Sequence, residues 1–394
     1  MPRRRVAVTG LGVVAPCGIG LDEFWKGLQG PATNGETFSV RGFDAEPFFD
    51  NPKDARRTDL YTQYAVAAAK MAIEQAGRPD YDPLRCGVWI GTGIGGISTY
   101  ESQIRALRDQ GPRRVSPFMI PMLMNNAAAA TVAMAHRFQG PSDSTCTACA
   151  AGTHSVANGA RLIQDDRCDA VLAGSSEAAL TPVCIAAFRN MTALSPQDRS
   201  VPFDRNRDGF VMGEGAGVLL LEAWDLAVQR GARILGEILG GASTADAHHI
   251  TAPLPGGAGA VNCMESALED AGLPPGEITY VNAHGTSTPL NDQAEAEAVV
   301  KVFGTDPAPA VTSIKGVTGH GLGAAGSIEA VSVVLSMLHG QIPPTVGFSE
   351  PDPDMPSIDL VHAEPRDWRP APAISNSFGF GGHNGTLVIG PGEG

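Results

Sequence analysis

The chain has 394 residues, of which 43% are hydrophobic and 18% are charged. This balance is typical of globular proteins and excludes an intrinsically disordered chain. The formal net charge of −14 argues against nucleic acid or an anionic membrane as the main partner. The seven cysteines are an odd number without the dense spacing of a disulfide scaffold, so we expect reduced thiols and a cytoplasmic location.

The N-terminus superficially resembles a secretory signal, because three arginines precede an apolar run. Thr9, Gly10, Gly12 and Pro16 interrupt that run, which predicts a buried first strand followed by a turn. No uninterrupted apolar run approaches the ~18 residues that a membrane helix needs. We therefore expect no membrane association.

Short apolar runs alternate with longer alanine-rich stretches along the chain. The runs predict buried strands at 6–8, 86–90, 169–173, 217–221, 279–281 and 311–314. The stretches have helical spacing and predict helices at 61–76, 154–164, 260–271, 293–303 and 326–338. Strands that alternate with helices indicate a layered α/β architecture.

Two of the predicted helices follow similar segments. Cys149 begins one Ala/Gly-rich segment, CAAGTHSVANGARLI, and His320 begins another, HGLGAAGSIEAVSVVL. The spacing alone leaves open whether this similarity reflects a duplicated half or chance in an Ala/Gly-rich chain.

A glycine motif at 10–15 follows the first predicted strand and is similar to a dinucleotide-binding fingerprint. Pro16 lies where the helix of that motif should continue, and no acidic residue ends a second strand about 20 residues later. The sequence therefore disfavours nucleotide binding.

Cys146 and Cys149 have the CxxC spacing of redox enzymes and zinc half-sites. No second CxxC is present, and His154 alone does not complete a tetrahedral set. His248 and His249 are neighbours that would point to opposite faces of a strand. We predict no metal site, and thiol redox chemistry would require a reversible Cys146–Cys149 disulfide.

Four glycine-rich segments carry side chains with complementary chemistry: TACAAG (147–152), NAHGTSTPLND (282–292), SIKGVTGHGLGAAGS (313–327) and NSFGFGGHNG (376–385). Cys149 precedes a predicted helix, whose N-terminal partial charge can lower the pKa of a thiol and make it nucleophilic. His284 and His320 can reach this cysteine only through the fold, and two imidazoles can donate hydrogen bonds to a developing oxyanion. Each residue taken singly is equally compatible with burial or with capping of a turn.

The four segments together resemble the β-ketoacyl-[acyl-carrier-protein] synthases, specifically the elongating, synthase II type. The resemblance also includes VTGLGVVAPCG (8–18), GTGIGG (91–96), GPRRVSPF (111–118) and PFDRNRDGFVMGEGAG (202–217). It covers essentially the whole chain, with the motifs in the order of the family.

The resemblance implies the thiolase fold, an α/β fold in which two similar halves form five α/β/α/β/α layers. By analogy the halves are residues 1–232 and 233–394. The first half would supply the nucleophile Cys149, and the second would supply His284 and His320. The working form would be a homodimer, or a heterodimer with a chain-length factor.

The implied reaction is a decarboxylative Claisen condensation of an acyl chain on Cys149 with malonyl-[acyl-carrier protein]. The family resemblance assigns oxyanion stabilisation to the backbone amides of Cys149 and Phe380, and enolate stabilisation to His284 and His320. No cofactor is expected, because the substrates are carried on the phosphopantetheine of acyl carrier protein. The sequence leaves open fatty-acid elongation, favoured by the GHN and TACAAG details, a polyketide ketosynthase, and a catalytically silent subunit.

Other roles are also carried over from the family. Lys315 and Glu329 would organise the histidine pair, although a plain structural ion pair fits the sequence equally well. Thr286 and Thr288 would bind the pantetheine amides, and Phe380 would act as an aromatic gate.

A basic patch would dock the acidic carrier protein, although ordinary surface solvation is the alternative. The residues that match it are Lys53, Arg56, Arg57, Arg113 and Arg114. Two departures are His383, where many relatives have threonine, and Val201, which replaces a basic residue in a shortened 194–202 loop.

Overall fold

The structure is a computed structural model that describes residues 3–32 and 34–392. The strands of the first half are β1 (Val6–Ala15), β2 (Gly18–Ile19), β3 (Thr37–Phe38), β4 (Cys86–Gly91), β5 (Ser142–Asp143), β6 (Ala170–Glu177), β7 (Met212–Gly213) and β8 (Gly215–Ala223). The helices of this half are α1 (Leu21–Leu28), α2 (Pro52–Ala55), α3 (Leu60–Ala76), α4 (Ile97–Gln110), α5 (Met119–Leu123), α6 (Ala127–His136), α7 (Ala151–Gln164), α8 (Pro182–Asn190) and α9 (Trp224–Gln229).

The second half repeats this pattern after a short connection at 230–235. Its strands are β9 (Gly236–Ala245), β10 (Tyr280–Asn282), β11 (Ala310–Thr312), β12 (Gln341–Ile342), β13 (Asp359–Leu360), β14 (Arg366–Asp367), β15 (Ala373–Gly379) and β16 (His383–Pro391). Its helices are α10 (Ala258–Ala271), α11 (Pro289–Phe303), α12 (Lys315–Thr318) and α13 (Ala325–His339). We propose residue 232, within the connection, as the boundary between the halves.

The strand order is symmetric about the contact between β1 and β9. On one side β1 is followed by β8, β6, β4 and β5, and on the other β9 is followed by β16, β15, β10 and β11. Each side combines parallel pairs, such as β4 with β6 and β10 with β15, with antiparallel ones. The strands β1 and β9 pair at only two positions, Ala7 with Glu237 and Val8 with Gly236.

The β1 side and the β9 side of this strand order form the two β-layers, here called the first and the second sheet, and the helices form three layers around them. Helices α3 and α6 pack on the outer face of the first sheet, and α10, with α11 beside it, covers the outer face of the second. Helices α7 and α13 lie between the sheets, where each contacts strands of both halves. The expected thiolase fold with five α/β/α/β/α layers is therefore confirmed.

The two central helices pack closely at a pair of glycines. A Cβ atom on Gly152 would lie 2.5 Å from the backbone nitrogen of Ser327, and one on Gly326 would lie 2.3 Å from Thr153 Oγ1. Each helix also forms a hydroxyl–hydroxyl hydrogen bond with a strand of the other half. In helix α7 it joins Thr153 to Ser377 at 2.7 Å, and in helix α13 it joins Ser327 to Ser175 at 2.6 Å. The internal similarity of the sequence thus corresponds to a structural repeat.

The structural repeat pairs different residues from those that the sequence similarity suggested, which had matched Cys149 with His320. Both helices follow a short 3₁₀ turn, at Ala148–Ala150 and at Leu322–Ala324. The first residues of these turns share a left-handed conformation, with φ of 49° at Ala148 and 48° at Leu322. Cys149 is therefore equivalent to Gly323, and His320 precedes the equivalent turn.

The glycine contact predicts a large loss of stability for Gly326→Ala. The added methyl group would lie 2.7 Å from the Thr153 backbone nitrogen, which cannot move without shifting helix α7. We expect the free energy of unfolding to fall by about 3 kcal/mol, measured by urea denaturation. A Cβ on Gly276 meets no described heavy atom within 4 Å, so Gly276→Ala is the control. Equal stability of the two variants would contradict the close contact.

The N-terminal motif has a structural explanation. Strand β1 is buried along its whole length, and Cβ atoms on Gly10 and Gly12 would lie 2.1 and 1.8 Å from carbonyl oxygens of helix α3. These glycines permit close packing of the helix on the strand. Among the described residues, one helical stretch, 322–339, is long and apolar enough to cross a membrane, and 89% of it is buried in this protein.

Candidate active site

A cavity of about 610 Å³ lies at the junction of the two halves. Its wall includes six of the residues that the sequence predicted for the site: Cys149, His284, Thr286, Thr288, His320 and Phe380. Apolar side chains, among them Phe188, Phe210 and Leu322, line the same cavity. The fold thus brings together segments that are up to 231 positions apart in the sequence (380 − 149).

Cys149 lies in the 3₁₀ turn that leads into helix α7. Cys149 is only 7% exposed, and the preceding residue, Ala148, has a φ of 49°. A non-glycine residue in this region is strained, and such strain persists only where the surrounding structure enforces it. The strained turn presents the thiol to the cavity.

The Cys149 thiol contacts groups from the second half. His320 Nε2 lies 3.0 Å from Cys149 Sγ, within hydrogen-bond distance, and the backbone amide of Phe380 also faces this sulfur. The ring of Phe210 packs edge-on against His320 with a centroid distance of 4.9 Å. The imidazole therefore has a fixed orientation toward the sulfur.

Burial determines the protonation of this pair. Desolvation raises the pKa of the Cys149 thiol to about 12, although the Lys315 charge opposes this shift. Burial, and secondarily the Lys315 charge, places the pKa of His320 well below its usual range. The sequence expectation of a lowered thiol pKa is thus wrong for the free protein, because desolvation outweighs the helix terminus. The resting pair is a neutral thiol and a neutral imidazole.

A neutral resting pair predicts the pH dependence of alkylation. Below a raised pKa the thiolate fraction increases tenfold per pH unit, so the rate of Cys149 carbamidomethylation should rise about tenfold per unit from pH 7 to pH 9. Peptide mass spectrometry after short iodoacetamide pulses measures this rate. A plateau that begins below pH 8 would instead indicate a stable thiolate–imidazolium pair.

His284 follows strand β10 and faces the same space as His320. The ring centroids of the two histidines are 5.3 Å apart with an interplanar angle of 81°. The Glu295 carboxylate accepts hydrogen bonds from the backbone amides of His284 and Gly285, at 2.8 and 2.7 Å. Burial, and then the nearby Lys315 and His320, lowers the pKa of His284 well below its usual range. Both imidazoles are therefore neutral, and each carries one N–H that can be donated.

Lys315 and Glu329 form a buried ion pair behind the histidines. The Lys315 ammonium group donates to the Glu329 carboxylate and to the backbone carbonyl of His284. Burial raises the pKa of Glu329 to about 7, against the opposing effect of Lys315. The pair thus connects helix α13 to the segment that carries His284.

Thr286 and Thr288 lie on the wall of the cavity, and their hydroxyl oxygens are 2.9 Å apart. Phe380 lies in a loop with two left-handed glycines, Gly381 at φ 84° and Gly382 at φ 73°. Its ring is 6.3 Å from that of Phe188, also on the cavity wall. Thr286, Thr288 and Phe380 therefore all line the same cavity.

Comparison with known proteins places this arrangement in a family. The protein family described as "Beta-ketoacyl synthase, N-terminal domain" matches residues 28–227. The family described as "Beta-ketoacyl synthase, C-terminal domain" matches residues 235–349. The chain belongs to the β-ketoacyl synthase family. The resemblance found in the sequence is therefore confirmed, and the protein is an acyltransferase of the condensing type.

Curated relatives extend over nearly the whole ketosynthase chain. The 3-oxoacyl-[acyl-carrier-protein] synthase 2 of Synechocystis is 44% identical, over 99% of this chain and 98% of that protein. The synthase 2 of Staphylococcus aureus strain N315 is 42% identical, over 98% of each chain.

Solved structures agree with this assignment. The ishigamide ketosynthase/chain length factor is similar with a TM-score of 0.92 and 33% identity, over 99% of each chain. A type II PKS ketosynthase, solved in complex with its acyl-carrier protein, gives a TM-score of 0.90 and 32% identity over 99% of each chain.

The five basic residues predicted for carrier docking are all exposed. The Arg57 guanidinium lies 5.1 Å from the centroid of the Phe118 ring, which brings segment 52–57 beside segment 111–118. Arg56 and Arg57 also pair with Glu46 and Asp54, at 3.2 and 3.5 Å. Val201, in contrast, is buried and is not part of a surface.

The other cysteine and histidine motifs form no second centre in the described parts of the ketosynthase. All seven cysteines are free thiols, and Cys146 accepts a hydrogen bond from Asn125 while donating to the Gly93 carbonyl. His248 and His249 are both exposed in the loop after β9, and no metal-binding group of three His, Cys, Asp or Glu occurs in residues 3–32 and 34–392.

Two buried carboxylates of the ketosynthase site were missed by sequence reasoning. Glu295 holds the backbone next to His284, as described above. Glu177 accepts hydrogen bonds from Thr92 Oγ1 and from the amides of Gly93, Ile94 and Gly323, at 2.7 to 3.3 Å. A single acidic residue at the end of an otherwise apolar strand, as in AVLAGSSE, is the signal that could have identified Glu177.

Proposed function

We propose that this protein is an elongating β-ketoacyl-[acyl-carrier-protein] synthase of fatty-acid synthesis. It joins an acyl chain held on Cys149 with malonyl-[acyl-carrier protein] and releases a 3-ketoacyl chain on the carrier protein and CO₂. The observation that carries the proposal is the buried grouping of Cys149, His320 and His284 in one apolar cavity. A nucleophile, a proton acceptor and two N–H donors are the groups that the two half-reactions need.

In the first half-reaction the Cys149 sulfur attacks the thioester carbonyl of the acyl carrier protein. Its proton moves to His320 Nε2, which lies 3.0 Å away. The amides of Cys149 and Phe380 stabilise the tetrahedral oxyanion. The carbon–sulfur bond to the carrier then breaks, and His320 returns the proton to the departing carrier thiol.

In the second half-reaction the malonyl thioester occupies the cavity. His284 and His320 donate N–H groups to its carbonyl oxygen, His320 in the tautomer that carries its proton on Nε2, so that loss of CO₂ leaves a stabilised enolate. The enolate carbon attacks the acyl-Cys149 carbonyl, and the new tetrahedral centre collapses with release of the Cys149 sulfur, which takes up a proton from solvent. Lys315 and Glu329 keep His284 in place, and Thr286 and Thr288 bind the pantetheine amides. These steps need no cofactor beyond the carrier-bound pantetheine.

Fatty-acid synthesis as the metabolic setting is supported by the sequence identities of the relatives. The synthase 2 enzymes of Synechocystis and Staphylococcus aureus are 44% and 42% identical, whereas the polyketide ketosynthase structures are 33% and 32% identical. We therefore infer fatty-acid elongation, in the cytoplasm, rather than polyketide assembly with a chain-length factor.

A homodimer is supported by an apolar surface around helices α4 to α6. Strand β5, at one edge of the described sheet, lies beside this surface. Its exposed large side chains are Tyr100, Ile104, Leu107, Ile120, Met124 and Met134. Large exposed apolar patches mark interaction sites, and a second copy of this chain would cover it.

Charge reversal on the basic patch should weaken binding of acyl carrier protein without changing the rate of the chemical steps. We expect Arg57→Glu combined with Arg113→Glu to raise KM for acyl carrier protein about tenfold to hundredfold, because each change turns an attraction to an acidic partner into a repulsion. The rate with an acyl-pantetheine thioester should stay within about twofold, since that substrate makes no contact with the patch. Steady-state kinetics with both substrates measures the difference.

Arg167 is an exposed arginine just after the end of helix α7, and Arg167→Glu is the matched control. An equal rise in KM for this control would mean that net charge, and not the patch, governs carrier binding.

The proposed function is tested by reconstitution of the purified protein with acyl-carrier and malonyl-carrier protein. Formation of 3-ketoacyl-carrier protein by this chain alone, extended by one two-carbon unit, is the expected product. Condensation that requires a second, different subunit would support the polyketide alternative. Absence of both acylation and condensation would support a catalytically silent subunit.

A further inference from the structure

One buried imidazole joins the turn that carries Cys149 to the chain segment that follows Phe380. His154, in helix α7, is 4% exposed. Its Nδ1 lies 2.8 Å from Thr147 Oγ1, two residues before Cys149, and its Nε2 lies 2.9 Å from the backbone carbonyl of Asn384. His154 thus contacts the nucleophile turn on one side and the end of the Phe380 loop on the other.

The chemistry of its partners defines the His154 tautomer. A carbonyl oxygen only accepts, so Nε2 carries the proton and donates to Asn384, and Nδ1 accepts from the Thr147 hydroxyl. Burial lowers the pKa of His154, which keeps the ring neutral as this pattern requires. Both hydrogen bonds therefore have a defined direction: the Thr147 hydroxyl donates to His154, and His154 donates to the Asn384 carbonyl.

The Phe380 loop lies close to the nucleophile turn at its start and is hydrogen-bonded at its end. At its start, a Cβ on Gly379 would lie 3.1 Å from both the Thr147 carbonyl oxygen and the Cys149 nitrogen. At its end, Asn384 accepts the His154 bond and donates through its side chain to Asp246 at 2.7 Å. The Phe380 amide lies between these two fixed points.

We propose that His154, acting through Thr147 and Asn384, is the positioning residue that sets the spacing between the Cys149 and Phe380 amides of the oxyanion hole. This inference rests on the proposed function. His154 touches no reacting atom, and its effect is confined to the half-reactions that use those amides. Decarboxylation of malonyl-carrier protein uses the His284 and His320 side chains and is independent of that spacing.

The test compares His154→Gln, Thr147→Val and Thr147→Ser with the wild-type protein. Single-turnover acylation of Cys149 by acyl-carrier protein is measured by intact-protein mass spectrometry, and decarboxylation by release of CO₂ from malonyl-carrier protein. We expect His154→Gln and Thr147→Val to slow acylation about tenfold to thirtyfold, less than the loss of a whole oxyanion donor. Decarboxylation should stay within about twofold, and Thr147→Ser, which keeps the hydroxyl, should restore acylation to within about threefold.

A control and a second variant keep the result interpretable. Ser155→Ala removes the neighbouring buried hydroxyl of helix α7, which donates to the Ala151 carbonyl within the same helix, and should leave acylation unchanged. Thr147→Val carries the test if His154→Gln does not fold. Equal losses in both half-reactions, or unchanged acylation in Thr147→Val, would overturn the inference. Absence of acylation in the wild-type protein would instead overturn the proposed function.

Discussion

Replacement of Cys149 by alanine should abolish condensation while leaving the fold intact. The substitution removes the sulfur that forms the acyl-enzyme, and we expect kcat to fall at least about 10⁴-fold, as is usual for loss of a covalent nucleophile. Alanine fits the site, because it is smaller than cysteine and suits the 3₁₀ turn between Ala148 and Ala150. Assays of 3-ketoacyl-carrier protein formation measure the loss.

The partial reactions make this prediction more specific. The Cys149→Ala protein should still decarboxylate malonyl-carrier protein to acetyl-carrier protein, because the two histidines and the cavity remain. Cys184 is also buried, and it packs in the same apolar cluster as Cys149. Cys184→Ala is therefore the matched control and should keep condensation within about twofold. Condensation by the Cys149→Ala protein would exclude Cys149 as the nucleophile.

The two histidines should differ in which half-reaction they affect. The family resemblance implied that both mainly serve decarboxylation. His320, however, lies 3.0 Å from the sulfur. His284→Ala should therefore slow decarboxylation about 10²- to 10³-fold, the usual effect of losing one oxyanion donor, with acylation changed by less than about fivefold. His320→Ala should slow decarboxylation similarly and acylation by about 10²-fold, because the thiol loses its proton acceptor.

Separate assays of Cys149 acylation and of CO₂ release measure this difference. His362 is an exposed histidine that packs against Phe348, and His362→Ala is the control for loss of an imidazole. Equal effects of His284→Ala and His320→Ala on acylation would mean that the observed contact between His320 and the sulfur has no catalytic consequence.

Much of the fold could be predicted from periodicity. The predicted helices at 61–76 and 326–338 correspond to Leu60–Ala76 and Ala325–His339. The predicted strand at 311–314 is wrong at its end, because the chain leaves the sheet after Thr312 and enters helix α12 at Lys315. Strand β9 was missed because its glycines and small residues, GEILGGASTA, lack an apolar pattern.

The site depended on contacts that no local pattern encodes. Cys149 and His320 come from different halves, and the packing of the two halves around helices α7 and α13 brings them together. The resemblance to a known family supplied the expected roles, since spacing alone left each residue ambiguous. The effect of burial on the thiol pKa required the three-dimensional surroundings, because no local pattern encodes how deeply Cys149 lies.

The most direct test of the proposed function is intact-protein mass spectrometry of the purified enzyme, first with acyl-carrier protein and then with malonyl-carrier protein. The mass should first increase by one acyl group, which peptide analysis locates on Cys149. It should return to the starting value when malonyl-carrier protein is added, as 3-ketoacyl-carrier protein appears. An unmodified Cys149 after incubation with acyl-carrier protein would contradict the proposed function.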